Sequence, residues 1–149
     1  MNGARRADVP ALARRKGLYA ERMDGAVCRA WQLQWLERVV PPELRQRALD
    51  CRCIPGDGCG SYLWHAFSFG LLECLEGNEA RRAFDGLARG GAVLLAAWED
   101  AGYRLADASS LSARDLEALD DVAVVDEDFG WVYAKTHEAE LGPYFWKRT

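Results

Sequence analysis

The residues that most limit what this chain can fold into lie between 122 and 136, where two β-rich runs, VAVV at 122–125 and FGWVYAKT at 129–136, flank the acidic triplet Asp126, Glu127 and Asp128. β-branched and aromatic side chains suit a pleated, half-buried surface, and a short polar insert between two such runs predicts a hairpin. The chain is thereby committed to a sheet. Two further runs fit as strands: the continuous apolar stretch at 92–98, AVLLAAW, behind Gly90 and Gly91, and the aromatic YFW at 144–146, beyond the break at Gly142-Pro143. YLWHAFSF at 62–69 also reads as a strand, although Leu63, Phe67, Leu71 and Cys74 recur at a spacing that would suit a helix.

The first third predicts helices. Asp8 and Pro10 are suited to open one that runs through ALARR to Gly17. A longer helix is expected from Asp24 to Val40, with Val27, Trp31, Trp35, Leu36 and Val39 forming one apolar face before Pro41 and Pro42 stop it. ELRQRALD forms a short helix after those prolines, 51–60 reads as a Gly-rich loop, Gly77 or Asn78 caps EARRAFDGLA, and Ser112 caps ARDLEALD. The expected fold is α+β: a helical N-terminal third packed on an antiparallel or mixed sheet of about four or five strands, with helices on one side and a C-terminal β-hairpin. A chain of 149 residues, half of them apolar and with six Trp, five Tyr and five Phe, has the size and core material for one domain, 1–149, with 1–22 as a peripheral helix or arm.

The start of the chain carries no secretory pattern, and no apolar run approaches the roughly 20 residues that cross a bilayer, so a cytoplasmic protein without a membrane partner is expected. Five cysteines without an export signal favour reduced thiols. Cys51, Cys53, Cys59 and His65 lie close in sequence, but a single C-x-C lacks the repeated pairs of zinc sites, and no metal or other cofactor is expected. Charge is unevenly placed. Residues 1–52 hold 11 Lys/Arg against 6 Asp/Glu, a net of +5, whereas residues 53–149 hold 8 against 17, a net of −9. That acidity argues against nucleic acid and fits a basic protein partner.

Acid–base material is sparse. His65, His137 and Glu138 are the candidates for a ligand or active site, yet strand alternation separates His137 from Glu138 unless the strand ends there. The same alternation puts Trp131, Tyr133, Lys135 and His137 on one face and Val132 and Ala134 on the other, which is taken as the core side. Asp126, Glu127 and Asp128, with Trp131, Tyr133, Lys135 and His137, therefore form the expected partner-binding surface, charge steering the encounter and aromatics anchoring it. An ordinary charged turn, kept polar against edge pairing, is the plain alternative. The sequence contains neither a G-x-S-x-G elbow nor a phosphate-cradling Gly loop followed by Lys-Ser/Thr.

YLWHAFSF at 62–69, GNEARRAFD at 77–85 and VVDEDFGWVYAKTHEAELGPYF at 124–145 together resemble a bacterial family catalogued as domain of unknown function number 4275, over about residues 25–146. The resemblance implies one cytoplasmic bacterial domain and carries no reaction or catalytic residues. By analogy of class, small acidic aromatic-rich proteins without enzyme signatures serve as immunity proteins. The expected function is a protein-binding inhibitor that neutralises a basic toxin or effector domain. The alternative is a small enzyme or ligand-binding domain using His65, His137 and Glu138.

Overall fold

The computed structural model describes residues 9–53, 63–96, 101–138 and 140–149. Helix α1 (Val9–Lys16) closes on Gly17, whose φ of +67° lets Leu18 N–H reach back to the Ala13 carbonyl at 2.8 Å. Strand β1 (Ala20–Met23) follows, and then α2 (Gly25–Val39), started by the Asp24 carboxylate accepting from Val27 N–H at 2.9 Å. A 3-10 turn (Pro42–Leu44) leads into α3 (Arg45–Asp50). Beyond lie α4 (His65–Ser68), β2 (Leu75–Glu76), α5 (Gly77–Gly86), β3 (Ala92–Ala96), β4 (Gly102–Leu105), α6 (Ala113–Leu116), β5 (Val122–Asp126), β6 (Trp131–Lys135) and β7 (Tyr144–Lys147). Ser112 and Asp115 form the reciprocal capping box at the start of α6.

The fold is α+β, but the sheet has seven strands rather than four or five, all antiparallel, in the order β1-β4-β3-β5-β6-β7-β2. The strands missed from sequence are β1, β2 and β4, reading AERM, LE and GYRL. They are short, and β1 and β2 form the two edges, where one side of the ladder is open and no long apolar run is required. The expected strand at 62–69 contains instead the single helical turn α4, its Phe67 ring stacked on Tyr144 with centroids 5.9 Å apart. There the 3–4 spacing, not the aromatic content, carried the signal. Much of the Gly-rich loop, and residues 97 and 98 of the expected strand 92–98, fall outside the described residues.

Helices cover both faces of the sheet, which corrects the one-sided arrangement. One core joins Cys28, Trp31 and Trp35 of α2 to Val93, Leu95, Val125, Val132 and Ala134. The other joins Val9 and Leu12 of α1, Ala80 and Phe84 of α5 and Leu116 of α6 to Leu94, Val124, Trp131 and Tyr133. The N-terminal third therefore divides, α1 serving one core and α2 the other, with edge strand β1 between them in sequence. The inward face of α2 also differs from expectation: Val27 is exposed, and Cys28 takes its place. Each large side chain so buried contributes about 1.5–3 kcal/mol, and sandwiching explains why VAVV in β5 is buried on both faces. Among the described residues no helix is long and apolar enough to cross a membrane. Cys51, Cys53 and Cys74 are free thiols, whereas Cys28 is disulfide-bonded, so the expectation of reduced thiols fails at that position.

Candidate functional site

The β5–β6 register, Val122 opposite Lys135 and Val125 opposite Val132, puts the acidic turn at one end of the hairpin and Lys135 and His137 at the other. The expected partner-binding set is thus split. At the turn, the Asp126 carboxylate accepts Gly130 N–H at 2.9 Å, and Glu127 and Asp128 stand exposed. Phe129, at φ +61°, stacks on Trp31 with centroids 5.0 Å apart. Arg38 stands 5.5 Å from the Phe129 ring, Arg148 donates to the Phe129 carbonyl at 3.2 Å, and Arg104 shares a groove with Glu127. Arg38, Arg104 and Arg148 thus stand near the three carboxylates of the turn.

Between the two ends, Trp131 and Tyr133 are buried against Phe84 of α5, their ring centroids 5.9 and 4.5 Å from it. Sequence reasoning placed them on an accessible face. The layer formed by α1, α5 and α6 takes that face instead, and neither ring is open to a partner. The Tyr133 hydroxyl is buried and has no hydrogen-bond partner among the described residues, and burial pushes its pKa up.

The far end gathers more chemistry. Asp121, only 3% exposed, stands immediately before β5; its carboxylate accepts the His137 backbone N–H at 2.8 Å and the ring Nδ1–H at 3.0 Å. This fixes the imidazole and leaves Nε2 as the ring atom open to a ligand. The hydrogen bond and then the charge of Asp121, with smaller contributions from Glu138 and Asp120, raise the His137 pKa above its ordinary value. Lys135 donates through Nζ to the carbonyls of Leu119 at 2.6 Å and Asp120 at 3.1 Å, and burial lowers its pKa. Arg81 of α5 donates through Nε to Glu117 at 3.2 Å and through a terminal nitrogen to Asn78 at 2.7 Å.

His137, Glu138, Lys135, Arg81, Glu117 and Pro143 are among the residues that line one cleft of about 180 Å³. His137 and Glu138 come together because β6 ends at Lys135, the circumstance under which alternation ceases to separate them. His65 does not join them. It lies on α4, on the α2 side of the sheet, with Nδ1 hydrogen-bonded to the Cys51 carbonyl and its ring against Trp64 and Phe69. Asp121 is the residue sequence reasoning missed as a partner of His137. Its signal was the register: with 122 opposite 135, the residue before one strand meets those just after the other. A larger concavity, about 610 Å³, lies among α5, β2 and β7, lined by Leu75, Ala83, Leu87 and Phe145 together with Glu73, Cys74 and Lys147. Among the described residues no group of three or more His, Cys, Asp and Glu is arranged to hold a metal ion.

The sequence matches the family described as Domain of unknown function (DUF4275) over residues 25–145. The chain belongs to that family. The matched span runs from α2 into β7 and so includes most of both sheet cores and the Asp121–His137 cleft, leaving α1 and β1 outside it. No curated protein and no solved structure matches the DUF4275 chain.

Proposed function

We propose that this protein is a protein-binding inhibitor, of the immunity type that neutralises a cognate bacterial toxin, and that it engages a basic partner through the rim of the Asp121–His137 cleft. The observation that carries this reading is the local charge balance. Glu117, Asp120, Asp121 and Glu138 supply four carboxylates around the cleft and its dyad, against Lys135 and Arg81, both already hydrogen-bonded within the chain, and His137 when it is protonated. Arg38, Arg104 and Arg148 stand near the turn at Asp126–Asp128, which supports moving the proposed acidic surface to the opposite end of the hairpin. Long-range attraction to a basic partner follows from that excess, and it weakens with salt.

The test is whether a neighbouring gene encodes a basic toxin domain and whether that domain binds this chain. Charge reversal at Glu117 and Glu138 should slow association by about tenfold or more at low salt, whereas reversal at Asp128 should change it by less than about twofold. Equal effects at the two ends would remove the rim from the interface, and absence of any complex at low salt would remove the inhibitor reading. The bacterial cytoplasm is the proposed compartment. Counting labelled thiols in protein trapped directly from cells tests that compartment.

A second reading is favoured by one specific observation, the carboxylate-oriented imidazole with Nε2 open: a small acid–base or ligand-binding centre of His137 and Glu138, with Asp121 where His65 was expected. It predicts a turnover or ligand response abolished by His137→Gln and unaffected by His65→Gln.

A further inference from the structure

Most donors around the cleft are already committed, and what remains open is acceptor. Lys135 is held by two carbonyls, and Arg81 is forked between Glu117 and Asn78. Glu138 lines the cleft and makes no ion pair among the described residues, Glu117 engages Arg81 through one of its two oxygens, and neutral His137 presents the Nε2 lone pair. Leu141 and Pro143 supply an apolar wall. A volume of about 180 Å³ is below that of ordinary small-molecule sites but suffices for one long side chain. Several acceptors beside an apolar wall complement a forked cation on an aliphatic stem, which is the shape of arginine.

We propose that this cleft is the receptor for a single arginine side chain of the basic partner, accepted by Glu138, Glu117 and His137 Nε2, with His137 admitting it only in the neutral form. The inference rests on the partner-binding reading above and names the group recognised. Protonation would set a positive charge against the entering guanidinium and turn Nε2 from acceptor to donor. The groups that set this balance are Asp120 and Asp121 ahead of β5, Glu138 after β6 and Glu117 at the end of α6. Binding and proton release are therefore linked: the guanidinium lowers the His137 pKa by as much as protonation weakens its own affinity.

The experiment titrates the intact chain with acetyl-Gly-Arg-Gly-amide and with the same peptide bearing citrulline, following the Glu138 amide and the His137 ring by NMR. The arginine peptide should saturate shifts at both residues at least about tenfold more tightly than the citrulline peptide, and Glu138→Gln should weaken it about fivefold or more. Affinity should fall several-fold from about pH 8 to about pH 5.5, and His137→Asn should remove that dependence while the chain stays folded. Matching titrations by the arginine and citrulline peptides, or a pH dependence that persists in His137→Asn, would overturn the proposal. If the toxin domain binds at the rim and the arginine peptide does not, this inference fails alone. If the peptide binds and no basic partner does, the inhibitor reading fails alone.

Discussion

Replacing Asp121 by Asn tests the centre of the site with almost no change in volume. The native carboxylate accepts a backbone N–H from His137 at 2.8 Å and the ring Nδ1–H at 3.0 Å, in a position 3% exposed. An amide oxygen can still accept the backbone bond, but without its charge, and hydrogen bonds to charged groups contribute about 1.5–3 kcal/mol against about 1 for neutral ones. The ring is 55% exposed, so the ion pair with the imidazolium adds only about 0.2–1 kcal/mol after solvent screening. The expected loss is about 1–2 kcal/mol when His137 is protonated, or a fall of about 3–6 °C in Tm for a chain of this size.

The pH dependence has a definite sign. Because Asp121 raises the His137 pKa in the folded state, the pair's contribution is complete below the ordinary value of 6.5 and disappears as pH rises through the raised value. Urea unfolding followed by Trp fluorescence should therefore show a gap between native chain and Asp121→Asn that is larger by about 0.2–1 kcal/mol at about pH 5.5 than at about pH 9. An NMR titration should show the His137 pKa dropping in the variant. A gap that stays constant or widens toward high pH, or an unchanged His137 titration, refutes the dyad as described.

Tyr133→Phe removes a buried hydroxyl that has no partner among the described residues, so stability by urea denaturation should hold or rise by up to about 1 kcal/mol; a loss above about 1 kcal/mol would show that the hydroxyl is bonded. Gly142→Ala combines a φ of +72° with a Cβ placed 2.9 Å from the Tyr144 ring and should cost about 2 kcal/mol or more, whereas at Gly91 the obstructing atoms are the exposed carboxylate of Glu127, which can swing away, and the cost should stay under about 1 kcal/mol. Cys53 is fully buried and its thiol is pushed up to about 12 by burial, so in the folded chain it should resist alkylation at neutral pH and react only on unfolding, as mass spectrometry of labelled peptides would show.

What the sequence determined by itself was local. Asp24 and Ser112 as helix starts, the β5–β6 hairpin, the continuous apolar run of β3 and the break at Gly142-Pro143 all follow from side-chain shape, backbone freedom or capping chemistry within a few residues. Family membership was also legible, from the resemblance carried by the stretches 62–69, 77–85 and 124–145. Tertiary structure decided which face of each element meets which layer. Alternation in WVYAK states that Trp131 and Tyr133 share a side, but not that α5 covers it; that depends on α5 and β6 packing across a chain separation no local signal spans. The edge strands β1 and β2 likewise exist because a neighbour offers them a ladder. The site shows the same division. His137 and Glu138 were identifiable from residue type, and His65 was equally plausible on that ground. Only the register of the hairpin, which carries Asp121 to the end of β6, and the sheet that stands between His65 and His137 decided which groups could act together.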